Sequence, residues 1–213
     1  MVADSVGAPI ASENGIEDLQ SRPSPAAFKS CQTRLLFVVT NGLKDRNRRL
    51  SDIPCPDGAL QVLDAERLRQ LNEQAVASPR KRSHLLLHAG PDDQVQRLVI
   101  AAEPGTYVRP HQHSQQWEML TLLRGRVDVL IFDDGGRILE RTTLDQIAPI
   151  VQIPTATWHT CIIREGAVLI EIKPGPFRAN EFAPWAPQEG HESVNAFLKW
   201  ASLAEVQTVW RRG

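Results

Sequence analysis

Between residues 84 and 172 the chain breaks into short apolar segments, most of them closed by a turn signal, and this rhythm constrains the fold more than any other feature. The segments 84–88, 95–102, 106–108, 117–123, 127–132, 137–144, 150–153, 158–163 and 167–172 are rich in Val, Ile, Leu and Thr. Between them stand Gly90-Pro91-Asp92, Pro104-Gly105, Arg124-Gly125-Arg126, Asp133-Asp134-Gly135-Gly136 and Glu165-Gly166. Strands of this length and spacing predict an antiparallel sandwich or barrel. No helices alternate with them, which argues against a parallel sheet. Helical spacing is confined to the two ends. Leu63, Leu68, Leu71 and Ala75 form one stripe, with Asp64 as N-cap and Ser78-Pro79 as the stop, and a closing helix is predicted over 193–203.

Residues 1–58 read differently. Up to about Gln32 they are Ser, Ala, Pro, Glu and Gly without a period, a composition that does not offset the entropy of ordering. A strand-like island, 35–39, is the one exception. The expected organisation is a poorly ordered extension over 1–58, a domain over 59–205 and a short tail over 206–213.

Charge narrows the partners. Lys+Arg number 24 against Asp+Glu 25, so neither a nucleic-acid surface nor a polybasic membrane anchor is expected. No apolar run approaches the roughly 18 residues of a bilayer span, and nothing in 1–20 looks like a secretion signal, so a cytoplasmic protein is expected. Cys31, Cys55 and Cys161 are too few and too scattered for a disulfide framework or a thiolate zinc cage.

The densest chemistry lies at His111-Gln-His113-Ser-Gln-Gln-Trp-Glu118. On an extended strand His111 and His113 project from one face, at a separation that a single ion can bridge. Glu118 heads the next apolar segment, where an inward carboxylate needs a partner. His159, on a later strand, is the fourth candidate ligand, because antiparallel pairing can bring it alongside. A chain of this composition contains HxHx4E by chance only about 0.01 times.

From Gly105 to Gly125 the stretch resembles the first cupin motif, G(x)5HxH(x)3-4E(x)6G, at every position. Pro154-Thr-Ala156-Thr-Trp-His159 resembles the second, with Ala148 and Ala156 where the motif has Gly and Ile163 where it has Asn. Ala77-Ser-Pro-Arg-Lys-Arg82, Leu87-His88, Val95-Gln-Arg97, Tyr107-Val-Arg-Pro-His-Gln-His113, Phe132-Asp-Asp, Trp158-His159 and Phe182-Ala-Pro-Trp-Ala-Pro187 are similar to the WbuC-type cupin fold metalloproteins of bacterial surface-polysaccharide gene clusters. The resemblance spans about 60–203. It implies an all-β jelly-roll barrel, the cupin double-stranded β-helix, with a short helix before it and one after it. It also implies one divalent transition metal per chain (Fe, Mn, Ni, Zn or Co) held by His111, His113, Glu118 and His159. Three imidazoles and a carboxylate do not choose among these ions, and in a six-coordinate ion they leave two positions open.

Other residues have both a plain and a functional reading. Arg80-Lys81-Arg82 follows the first helix, where cations complement the carbonyl end, and Arg80 and Arg82 are candidate contacts for a ligand anion. Arg109 and Tyr107 share the face of His111 and His113 if the strand is regular, although Pro110 interrupts it; Arg109 is a candidate substrate contact. His84, His88 and Tyr107 are candidate proton carriers. Val127, Val129 and Ile131 alternate with Asp128, Leu130 and Phe132, so the outer face is partly apolar, and a homodimer is expected from it. The leading expectation is isomerase, epimerase or lyase chemistry on a sugar, sugar phosphate or hydroxy acid, the ion polarising a carbonyl. The rivals are an Fe(II)-dependent dioxygenase, which requires oxygen, and a non-catalytic binding module, which turns nothing over.

Overall fold

A computed structural model of the chain describes residues 60–211. The extension and its island at 35–39 lie outside the described residues.

Helix α1 (Ala65–Ala77) forms where its spacing predicts. The Asp64 carboxylate accepts from the Arg67 backbone N–H at 2.9 Å, and Ser78 turns the chain to an extended conformation. The strands follow as β1 (Arg82–Leu86), β2 (Val95–Ala102), β3 (His111–Gln112), β4 (Glu118–Phe132), β5 (Ile138–Leu144), β6 (Ile150–Ile153), β7 (Trp158–Pro174) and β8 (Glu181–Phe182), and α2 (Val194–Leu203) closes the order. All described pairings are antiparallel. The all-β class with a helix before it and one after it is as expected.

Two of the expected turns are not turns. Arg124-Gly125-Arg126 lies inside β4 and Glu165-Gly166 inside β7, and these long strands pair along their whole lengths, with register shifts around Arg124 and Arg126. Gly125 serves a close approach instead. Gly125 has φ +89°, and a Cβ there would sit 2.4 Å from the Gly166 carbonyl oxygen and 2.7 Å from Ala167 Cα. Only glycine lets the two backbones come this near while the bulges bend the pair. The segment 106–108 is not a strand, and the short β3 and β8 appear in its neighbourhood.

The bend gives the sheet two halves. On one side β7 takes β2 and then β1, while β4 takes β6; on the other β7 takes β3 and then β8, while β4 takes β5. Leu120, Leu122, Ile153 and Leu169 of the first half pack with Val127, Val129, Leu144, Cys161 and Ile163 of the second in one buried core. Period-2 alternation then leaves an outer face on each half. Helix α1 covers the first, setting Leu71 and Ala75 against Leu85, Val99, Ala101 and Val168. Helix α2 covers the second, setting Phe197 and Ala201 against Leu130, Phe132, Ile138 and Ile162.

That second face is the one from which a homodimer was expected. Leu130 is fully buried and Phe132 nearly so within the single chain, because α2 covers these alternate positions of β4.

Candidate metal centre

Three strands and one turn bring the four expected ligands together. His111 of β3 and His159 of β7 are cross-strand partners, with ring centroids 4.3 Å apart. His113 follows β3 directly, and Glu118 begins β4. The turn between them is tethered by Gln116, whose amide donates to the carbonyls of Pro174 and Pro176 at the end of β7. Ala156 N–H donates to the His113 carbonyl at 2.8 Å, joining the loop before β7 to the ligand segment. Ala156, which stands where the second motif has glycine, is in the left-handed conformation, φ 53°, at a cost of about 1–2 kcal/mol.

The ligand atoms of His111, His113, Glu118 and His159 lie within 4.8 Å of one another, and all four residues are buried. Backbone carbonyls orient two of the rings: His111 Nδ1 donates to Arg109 O at 2.9 Å and His159 Nδ1 to Thr157 O at 2.8 Å. A carbonyl only accepts, so these bonds place the proton on Nδ1 and leave the Nε2 lone pair as the ligating atom. His113 Nε2 and Glu118 Oε2 are 2.7 Å apart, and His159 Nε2 lies 3.8 Å from the same oxygen. Buried His159 Nε2 has no hydrogen-bond partner, which is the feature that an ion in this cluster accounts for.

The protonation states suit a cation. Burial, and next the charge of His159, hold the His111 pKa down at about 3, so its imidazole is neutral and ligand-competent. Burial alone would raise Glu118, but the His113 hydrogen bond and the neighbouring His159 and Lys173 hold it at about 2, as a carboxylate. His84 is held at about 4 by burial and by Arg82, Arg80 and Lys173. Unfolded histidines titrate near 6.5, so between about 6.5 and 3 the unfolded chain takes up protons that His111 and His84 in the folded chain refuse. The metal-free protein is therefore fully stabilised by these groups above pH 6.5 and loses that stability as pH falls toward 3. Glu171, whose carboxyl is pushed up to about 7, contributes with the opposite sign over this range, so the test is made on Glu171→Gln: in chelator its thermal midpoint should be lower at pH 5 than at pH 7.5, and an equal or higher midpoint would contradict the buried neutral histidines.

A cavity of about 250 Å³ opens over the cluster and is lined by His111, Glu118 and His159. It separates the other expected residues into two groups. His84, Arg80, Arg82 and Arg109 line it. Arg80 and Arg82 reach the Glu189 carboxylate, Arg80 through bonds of 2.7 and 2.9 Å and Arg82 at 3.2 Å, and Arg82 also donates to Tyr107 O. Arg109 lies with its guanidinium 4.9 Å from the Phe182 ring centre and donates to Ala183 O; its buried Nε has no partner. Cys161 also lines the cavity, its thiol pushed well above the ordinary range by burial.

His88 and Tyr107 are not at the cavity. His88 Nδ1 faces the backbone of Arg97 and lines a separate recess with Phe177. It lies past the end of β1, so the shared face with His84 carries it away from the cluster. Tyr107 donates to Pro187 O at 2.7 Å and packs edge-on against Phe197, on the α2 side of the sheet. The alternation that would have aligned it with His111 needs a regular strand over 107–113, and that stretch is not one.

Sequence reasoning missed Glu171, Lys173 and Glu189. Lys173 Nζ and Glu171 Oε1 are 2.6 Å apart on the cavity wall, with side chains only 9% and 13% exposed. Burial, with the charge of Glu118, pushes the Glu171 carboxyl up to about 7. The signal was available: Glu171 and Lys173 are the only charged residues in 167–173, and they share one face of that strand.

A family model described as a domain of unknown function (DUF6016) matches residues 63–144. A search of curated proteins finds no match. Among solved structures the chain is similar to KdgF from Halomonas sp., at 19% identity and TM-score 0.38 over 47% of this chain and 84% of that one. It is also similar to an oxalate oxidase, at 17% and 0.42 over 51% and 58%. A third is a sugar phosphate isomerase from a cupin superfamily, of Silicibacter pomeroyi, at 20% and 0.37 over 44% and 59%. Among the described residues no helix is long and apolar enough to cross a membrane.

Proposed function

We propose that the chain is a metal-dependent cupin of the WbuC type, cytoplasmic and tied to bacterial surface-polysaccharide synthesis, that isomerises, epimerises or eliminates on a small sugar, sugar phosphate or hydroxy acid. The observation that carries this reading is the convergence of three imidazoles and one carboxylate, ligand atoms within 4.8 Å, on a cavity of about 250 Å³. A divalent ion held there supplies Lewis-acid polarisation of a ligand carbonyl. His111 and His159 offer Nε2, oriented by their carbonyl bonds, and Glu118 offers the charge. Arg109 has no carboxylate partner among the described residues and meets the ligand's anionic group. Arg80 and Arg82 share Glu189 at the cavity and add positive potential there. His84, neutral and on the wall, is the histidine of the sequence-derived set that remains in reach to move a proton.

The test is solvent exchange. Metal-loaded protein in deuterium oxide, without oxygen, is given a panel of aldose phosphates and hydroxy acids, and loss of the proton next to the carbonyl is followed by NMR. Exchange that depends on the metal supports the reading. Replacing His84→Gln should slow it about a hundredfold to ten-thousandfold. A turnover that proceeds only with oxygen would sink the isomerase class.

A further inference from the structure

The Glu171–Lys173 pair lines the cavity without belonging to the ligand cluster or bonding to the arginines, although the charge of Lys173 helps to keep Glu118 ionised. Burying two charges costs several kcal/mol per ion, and replacing such a pair with apolar residues is often neutral or stabilising, so its presence on the cavity wall calls for a reason other than stability. It lies beside the metal cluster: Glu171 is the cross-strand partner of Leu120, and Glu118 precedes Leu120 by two on the same face of β4. On its other side Glu171 is paired with Leu98 and Lys173 with Gln96. The pair closes on itself. Among the described residues Lys173 Nζ has Glu171 as its hydrogen-bonding partner, and no further bond to either side chain is present. An ammonium carries three donors and a carboxylate two oxygens with about four acceptor sites. One contact therefore leaves donors and acceptors side by side, facing the cavity.

We propose that Glu171 and Lys173 form a hydroxyl-reading subsite, and that the ligand is a polyhydroxylated acid. This rests on the proposed function and selects within it. Above about pH 7, where Glu171 is ionised, the two charges cancel, so the pair gives little attraction for a further anion. A hydroxyl both donates and accepts, so adjacent hydroxyls satisfy Glu171 and Lys173 together. The anionic end of the same molecule falls to the metal centre and Arg109, which has no carboxylate of its own. An unhydroxylated acid would leave the buried donors and acceptors of the pair unmet when it displaced water, and sites of this kind discriminate strongly against the analogue that lacks the hydroxyl.

The experiment is calorimetric titration at pH 8.5, where Glu171 is ionised, of the metal-loaded full chain with D-gluconate and with hexanoate, six-carbon monocarboxylates that differ in hydroxylation. Wild type should bind gluconate at least about tenfold more tightly. In Glu171→Leu/Lys173→Met the preference should fall to within about twofold while metal content stays at the wild-type level. Lys173→Met alone, in which Glu171 can become neutral, carries the same expectation if the double variant does not fold. Equal binding of the two acids by wild type, binding of neither, or a preference that survives these replacements would overturn the subsite. Failure of the metal reading is read separately, as absence of metal from the wild-type chain, whatever the two acids do.

Discussion

His111→Ala and Glu118→Ala are expected to abolish stoichiometric metal binding while the β domain stays folded. Wild type, by elemental analysis, should carry near one metal per chain. The geometry sets the size of the effect. Each imidazole is oriented by a hydrogen bond or by its neighbours, and the loss of such an outer bond alone costs roughly 10–100-fold in metal affinity. Removing the ligand itself must cost more. Glu118 also supplies the only carboxylate of the cluster, and its removal leaves three imidazoles and no anionic ligand for a doubly charged ion. The readout has a second arm in stability: an ion at about 1,000 times its dissociation constant adds about 4 kcal/mol to the folded state. A chelator should therefore lower the wild-type unfolding midpoint and leave those of the two variants where they are. Near one metal per chain in both variants would remove the centre from this cluster.

The largest stability effect is expected far from the metal, at Phe197. This ring is fully buried, packs edge-on against Tyr107 and Trp210 at 5.7 and 5.3 Å, and lies 5.5 Å from Trp200. With Ala201 it is the fully buried part of α2 that covers Leu130 and Phe132. Phe197→Ala should cost about 3–5 kcal/mol by lost transfer energy and an unfilled cavity. Against a total of about 5–15 kcal/mol for a domain, that is a large share. Denaturant unfolding measures it, and a loss under about 1 kcal/mol would mean that α2 does not carry this face. Helix α2 has a second tie, since Arg141 and Arg164 hold buried Asp128 and donate to the carbonyls of Ala201, Ser202 and Ala204 at its C-terminal end. The cap therefore has a polar anchor at one end and an aromatic one along its length.

Much of this was legible in the chain because it follows from local periods. Asp64 and Ser78 bound a helix by capping and stop signals, and 95–102 and 150–153 are strands to the residue. His111, His113, Glu118 and His159 are ligand types at a spacing that serves one ion, whatever surrounds them. What failed did so where a residue has two uses. Glycine marks turns, but Gly125 stands inside a strand because the backbones nearly touch there. Tyr107 would share the face of His111 only in a regular strand, and the stretch between them is irregular. An apolar face such as that of Leu130 and Phe132 looks the same in sequence whether a helix or a second subunit covers it.

The residue order alone determined the all-β class, the two flanking helices and the four candidate ligands, since each depends on periodicity or donor type within a few positions. Only the tertiary structure decided which polar residues share the cavity. It brought in Glu171, Lys173 and Glu189 and turned His88 and Tyr107 away. The physical reason is that facing is fixed by pairing register and by the bend at Gly125, through contacts between residues as far apart as Arg80 and Glu189, and no local pattern records those contacts.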